Sequence, residues 1–221
     1  MDELMLAFSL QGTVDFFVKG GVFMVFLLAL SVVALAVILL RGAALREQAV
    51  MPRQLVKEVQ RLEPGDDLDN LQKLIGETPS PLARIISMLV RHIDWPKSET
   101  AEAVQTQARH EVARLESGLI LLEIATGIGP LLGLLGTLSG LVGIFANLGG
   151  GGDPVAVARG IAEALNTTIV GLGVAAPSLV AYNYFQRKIE VMSVEMESLM
   201  GDLLAKCYPM GATPTVEKIE E

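Results

Sequence analysis

The stretch 127–148, GIGPLLGLLGTLSGLVGIFANL, constrains this chain more than any other. It carries no charged side chain and is long enough to cross a bilayer as a helix. Gly129, Gly133, Gly136, Gly140 and Gly143 recur at alternating steps of four and three. On a helix turning ~100° per residue they share a stripe roughly 80° wide. Leu134, Leu138, Leu141 and Val142 cover the opposite side, and Thr137 sits at the stripe's edge, one turn from Gly133 and from Gly140. Glycines in a row let another backbone come close, which is how membrane helices associate where hydrophobic sorting is absent. This helix is expected to face protein or a narrow pore, with one hydroxyl beside it.

Two further segments cross the membrane by the same reasoning. Residues 20–40 are uncharged and rich in Val, Leu and Phe, with Ser31 the polar exception, and are read as a retained first span that faces lipid over much of its surface. Residues 154–186 form the third span, restarted after the Gly-Gly-Gly-Gly loop at 149–153 by Asp153 as N-cap and Pro154 as the first helical residue. A composition that is 51% hydrophobic fits a membrane protein. The leader 1–19 is amphipathic and acidic, and is either a short interfacial helix or a frayed terminus.

Between the first two spans lies a polar region, 41–118, cut into helical pieces by Pro52, by Pro64-Gly65-Asp66-Asp67 and by Thr78-Pro79-Ser80-Pro81. Leu82, Ile85, Ile86, Leu89, Val90 and Ile93 mark one amphipathic helix. Asp94 or Ser98 is expected to cap the next, which meets no strong breaker from Glu99 until Gly118 and is expected to run on into the second span (119–148) as one helix of roughly 50 residues, ~75 Å long. The third helix likewise continues through 187–208, with Val191, Val194, Leu199 and Leu203 sustaining the pattern, before a loose tail at 209–221. The fold class is therefore an all-α membrane protein with three transmembrane helices, two of them extended far into the aqueous phase. Fifteen basic residues lie in the long loop and C-terminal segment against two in the leader and the 149–159 connection. The excess puts the long loop and C-terminus in the cytoplasm and the N-terminus outside.

Chemistry-bearing groups are few. Glu163, Thr167, Gly171, Val174 and Ser178 share one face of the third helix, and Thr168, Gly171, Ala175 and Tyr182 the adjoining one. Glu163 is the carboxylate nearest the apolar part of the second and third spans on the outer side, hence a functional candidate; the alternative is a solvated ion pair with Arg159, one turn earlier. Thr137 could equally bond back to its own helix backbone. His92 and His110 have no metal-ligand spacing, and the single Cys207 allows no intramolecular disulfide. No phosphate loop and no paired nucleophile and base is present, so neither an enzyme nor a cofactor is expected, and the net charge of −8 gives no reason to expect nucleic acid.

Two segments together resemble a known family. Residues 125–137, ATGIGPLLGLLGT, resemble the second-span signature of the MotA/TolQ/ExbB proton-channel proteins. Residues 160–168, GIAEALNTT, followed by Gly171-Leu172 and Ala175-Ala176-Pro177, resemble its third-span signature, and the spacing between the two also fits. Three spans with a large first cytoplasmic loop look like the ExbB/TolQ branch. The resemblance implies a bacterial inner-membrane motor subunit that forms a homopentamer around an ExbD- or TolR-like single-span partner with an intramembrane aspartate. That assembly would act on a TonB- or TolA-like transducer. It implies pore-lining hydroxyls at Thr137 and Thr168, with Thr167 as the adjacent contender, and an acidic family position at Glu163. The glycine stripe, with Gly171, would then be the surface on which neighbouring helices close a ring.

Overall fold

A computed structural model describes residues 21–147 and 154–208. The expected leader at 1–19, the loop at 149–153 with its Asp153 cap, and the tail at 209–221 lie outside the described residues. Among those described, all regular structure is helical: α1 (Gly21–Ala44), α2 (Glu47–Val50), α3 (Arg53–Arg61), α4 (Asp69–Glu77), α5 (Pro81–Arg91), α6 (Lys97–Glu116), α7 (Ile120–Asn147) and α8 (Pro154–Cys207). Three of these, α1, α7 and α8, are long and apolar enough to cross a membrane. The 54 residues of α8 are more than twice the ~20 that a bilayer requires.

The chain divides into two compact units. The first comprises residues up to Arg41 and Gly118–Phe185; the second comprises Gly42–Ser117 and everything from Gln186 onward. In the first unit the outward side chains are apolar: Val25, Phe26, Val32, Leu39 and Leu40 of α1, Leu131, Leu138 and Val142 of α7, and Ile169, Leu172 and Val180 of α8 are all exposed. Such a surface is unfavourable in water and at home in lipid.

The second unit buries an ordinary hydrophobic core. Leu82, Ile85, Ile86 and Leu89 are fully buried along α5, which packs against α6, with Leu55 and Val59 of α3 and Leu71 of α4 also buried. Ser80 starts α5 by accepting the Ala83 N–H at 3.1 Å, with Pro81 in the first turn. On α8 the buried positions are Ile189, Met192, Met196, Leu199 and Leu203, whereas Val191 and Val194 are exposed. The inward seam therefore runs through the flexible methionines, with steps of three and four, and the valines lie on its outer side. Lys206 extends its ammonium to the last carbonyls of α3, Val59 O at 3.0 Å and Gln60 O at 3.2 Å, where the helix dipole is negative.

Two expectations are corrected. α6 and α7 are separate helices, interrupted at 117–119, where the expected helix ran straight through. Gly118 costs ~1 kcal/mol relative to Ala inside a helix, and the Ser117 hydroxyl bonds Arg114 O at 2.9 Å beside it. The Arg41 guanidinium occupies the space a Cβ on Gly118 would need. The start of α6 also lies at neither expected cap: Pro96 precedes Lys97 and no side chain caps the helix. Thr100 of α6 instead donates to His92 O at 2.8 Å and Tyr208 donates to Ile93 O at 2.8 Å, so two hydroxyls, one of α6 and one after α8, tie the α5–α6 connection.

Candidate functional site

The α7–α8 contact is made by backbone against backbone. A Cβ on Gly171 would stand 2.5 Å from Gly129 O and 3.0 Å from Gly133 Cα, and one on Gly133 would stand 3.0 Å from Thr167 O and from Thr168 Cα. Further along, Gly136 receives the Thr167 side chain, and a Cβ on Gly140 would stand 2.8 Å from the Ala164 methyl. The glycine face, expected to meet protein or a narrow pore, packs along α8 of the same chain. Gly143 has open space around its Cβ position. At that level the fit is inverted, because Ile144 of α7 projects against Gly160 of α8. Gly160, Ala164, Gly171 and Ala175 form the answering row of small residues on α8, at steps of four and seven; Gly171 and Ala175 stand on the face the sequence marks, and Gly160 and Ala164 extend it.

This proximity sets the hydroxyls. Thr137 Oγ1 lies 2.5 Å from Thr168 Oγ1, and also 3.1 Å from Gly133 O and 3.1 Å from Ala164 O. Thr168 Oγ1 lies 3.1 Å from Gly133 O. The two hydroxyl protons therefore have alternative acceptors. Thr137 can donate to Thr168 while Thr168 donates to Gly133 O; or Thr168 can donate to Thr137 while Thr137 donates to Ala164 O. Both arrangements satisfy both protons, so the pair can reverse its donor sense without leaving a buried group unpaired. The back-bond to Gly133 O and the cross-helix bond both exist for Thr137, so the two readings of this residue combine.

Thr167 is 1% exposed and turned from that pair, donating to Ala164 O at 3.0 Å. The Ala164 carbonyl thus accepts from both Thr167 and Thr137. Thr168 is the half-buried member and Thr167 the buried one. Glu163 lies 3.4 Å from Arg159 in an ion pair whose carboxylate is 32% exposed, which makes the pair a weak one. Thr126 donates to Glu123 O, its own helix backbone, at 2.6 Å. Among the described residues no group of three or more His, Cys, Asp or Glu is placed to hold a metal ion.

A second polar centre lies in the other unit. Glu111 of α6 is fully buried, and its carboxylate accepts from Arg84 at 2.6 Å, Gln107 at 2.9 Å and Arg114 at 3.2 Å. The hydrogen bond to Glu111 raises the Arg84 pKa above its ordinary value. The sequence offered little sign of it, since Glu111 lies among many charges of a polar helix and its burial arises from α5.

The model of the MotA/TolQ/ExbB proton channel family matches residues 77–198, more than half of the chain. The chain belongs to this family. α7, α8 as far as residue 198, and the Glu111 centre fall inside the match. Over 182 residues the chain is 32% identical to an ExbB homolog of Methanothermobacter thermautotrophicus, covering 81% of this chain and 65% of that relative. It is 38% identical over 179 residues to a biopolymer transport protein of the ExbB-like kind from Synechocystis, covering 76% and 68%. It is 29% identical over 185 residues to the Tol-Pal system protein TolQ of Pseudomonas aeruginosa, covering 76% and 79%. The chain spans about two thirds of the length of the first two curated relatives. Within the MotA/TolQ/ExbB family it falls in the ExbB/TolQ branch.

Proposed function

We propose that this chain is a proton-conducting motor subunit of a bacterial inner membrane. Five copies form a ring, and an ExbD-like single-span partner carries an aspartate within it. Proton-motive force turned into movement of that partner then drives a TonB-type transducer for import across the outer membrane. The orientation that accords with the basic residues has the N-terminus periplasmic and both the 41–118 region and the C-terminus cytoplasmic.

The Thr137–Thr168 hydroxyl pair carries this reading. It is a reversible two-hydroxyl contact in the middle of spans whose segments 124–148 and 164–186 contain no acidic or basic side chain. Hydroxyls alone neither hold nor release a net proton near neutral pH, so the carboxylate that does must come from a partner helix. Each proton falling through ~100 mV releases ~2.3 kcal/mol, which over several steps can drive relative motion of helix and ring. Glu163, with Arg159 beside it, is the acidic group at the outer edge of this route.

A TolQ-type subunit acting in envelope integrity is the second reading, supported by the likeness to the Pseudomonas protein over most of both chains. Co-purification of the single-span partner and the identity of its transducer separate the two. Proton uptake by liposomes holding the chain and its partner tests the shared core. Uptake should be lost in Thr168→Val and in Glu163→Ala with assembly intact, and unchanged uptake in both would leave a passive membrane scaffold.

A further inference from the structure

In the second unit, α4, α5 and α6 border an open groove of about 370 Å³. Arg84, Ser87 and Arg91 line it from successive turns of α5, together with Gln107 of α6. Buried Glu111 holds two of these groups in place, accepting from Arg84 at 2.6 Å and from Gln107 at 2.9 Å. A guanidinium has five N–H groups, so Arg84, 45% exposed, keeps donors for a second acceptor. Arg91 is exposed as well. Ile75 and Met88 add apolar surface to the lining. Among the described residues no carboxylate lines the groove, although the whole chain carries a net charge of −8. Its chemistry suits an acidic segment with an apolar residue between its carboxylates.

The spacing of the arginines narrows the choice. Arg84 and Arg91 are seven residues apart on one helix, ~10.5 Å along its axis. A polyproline II chain returns to the same side every ~3 residues, after ~9 Å. The sequence Glu217-Lys218-Ile219-Glu220-Glu221, outside the described residues, has carboxylates at that separation in Glu217 and Glu220, with Ile219 between them. It is also tethered nearby. Tyr208 donates to Ile93 O at 2.8 Å, two residues beyond Arg91, and precedes Glu217 by nine residues. Nine residues reach as far as ~30 Å, well beyond the length of the groove.

We propose that residues 217–221 dock in this groove of their own chain, Glu217 pairing with Arg91 and Glu220 with Arg84, and Ile219 meeting Met88. Each exposed ion pair is weak by itself, but a short tether supplies an effective concentration on the order of millimolar. The contact weakens as salt screens it. It lies wholly within the second unit, ties the end of α8 to α5, and does not depend on proton conduction.

Disulfide trapping in the purified full chain, on a Cys207→Ser background, tests the docking. Ser87→Cys with Ile219→Cys should oxidise within one chain severalfold faster than Ser98→Cys with Ile219→Cys. Ser98 is exposed in the first turn of α6, two residues from Thr100, whose hydroxyl is 3.0 Å from that of Tyr208, so an undocked segment has no reason to prefer Ser87. Arg91→Glu should bring the Ser87→Cys rate down to that of the Ser98→Cys pair, and adding Glu217→Arg should restore it. Equal rates for the two pairs, or a rate indifferent to Arg91→Glu, would leave the groove to a different acidic ligand and overturn the proposal. Trapping that links two chains instead of one would assign the groove to a second copy and overturn it as well.

Discussion

The hydroxyls of Thr137 and Thr168 lie 2.5 Å apart, across a contact made possible by Gly133 and Gly171 lacking side chains. Replacing Thr168 by Val keeps the shape and removes one hydroxyl. Thr137 still has Gly133 O and Ala164 O to donate to, so no buried donor is orphaned, and the stability loss should stay near 1 kcal/mol. Proton uptake should nevertheless be lost, because Thr137 is then left with carbonyl partners that accept a hydrogen bond but pass no proton on. Thermal unfolding in detergent together with liposome uptake checks both halves. Wild-type uptake in Thr168→Val would remove the pair from the route.

The glycines should separate into two classes. Gly171→Ala would place a methyl 2.5 Å from Gly129 O, forcing α7 and α8 apart. Overpacking of this kind costs ~1–3 kcal/mol. Gly143→Ala, with open space at its Cβ position, should stay within about 0.5 kcal/mol of the parent. Thermal melting of the two purified variants decides the matter, and equal effects would show that Gly143 is covered in the assembly.

Glu163 can act by exchanging protons or by pairing with Arg159. At 3.4 Å and with Arg159 75% exposed, the pair is worth little. Arg159→Ala should therefore leave proton uptake near the parent level while Glu163→Ala abolishes it. Equal losses in the two variants would favour a structural pair.

Glu111 should be the most sensitive charge of the water-exposed unit. Its removal leaves the partly exposed Arg84 without its buried acceptor and opens a void in the α5–α6 contact. Arg84 and Arg114, 45% and 69% exposed, can turn to water once Glu111 is gone, so the loss is that of the charge-assisted hydrogen bonds, ~1.5–3 kcal/mol, and Glu111→Ala should lower the melting temperature. Glu111→Gln, which retains the volume and one acceptor, should cost less. Circular dichroism melts of both variants measure the difference.

Burial pushes the Cys207 thiol above its ordinary range. The thiolate is the species that reacts, so alkylation by N-ethylmaleimide should be slow at neutral pH in the folded chain and should rise as the pH is raised. In denaturant the rate should approach that of a free thiol. Rapid alkylation of the native chain at pH 7 would contradict this.

How far the sequence could be read differed from element to element. The spans were legible because twenty or so uncharged residues have no other stable setting. The inward face of α5 was legible because Leu82, Ile85, Ile86 and Leu89 are all large and regularly spaced. The methionine seam on α8 was not, since Val191 and Val194 offered an equally good helical pattern and only packing separates the two. The break at 117–119 was missed because one glycine need not end a helix, and tertiary surroundings, here the Arg41 side chain over Gly118, decide whether it does.

By itself the sequence determined that this chain has three membrane helices, a row of glycines inviting close contact, hydroxyls in place of span carboxylates, and a family. These follow from local composition and from spacing along single helices. Only the tertiary structure decided what the glycine row meets. That row, on α7, packs against α8 of its own chain, with Thr167 turned to Gly136 and Thr168 turned to Thr137. Adjacent residues on a helix differ by ~100°, so the sequence left both threonines open to either role. The close approach of two backbones selected one hydroxyl for the pair and turned the other to the Ala164 carbonyl beside Gly136.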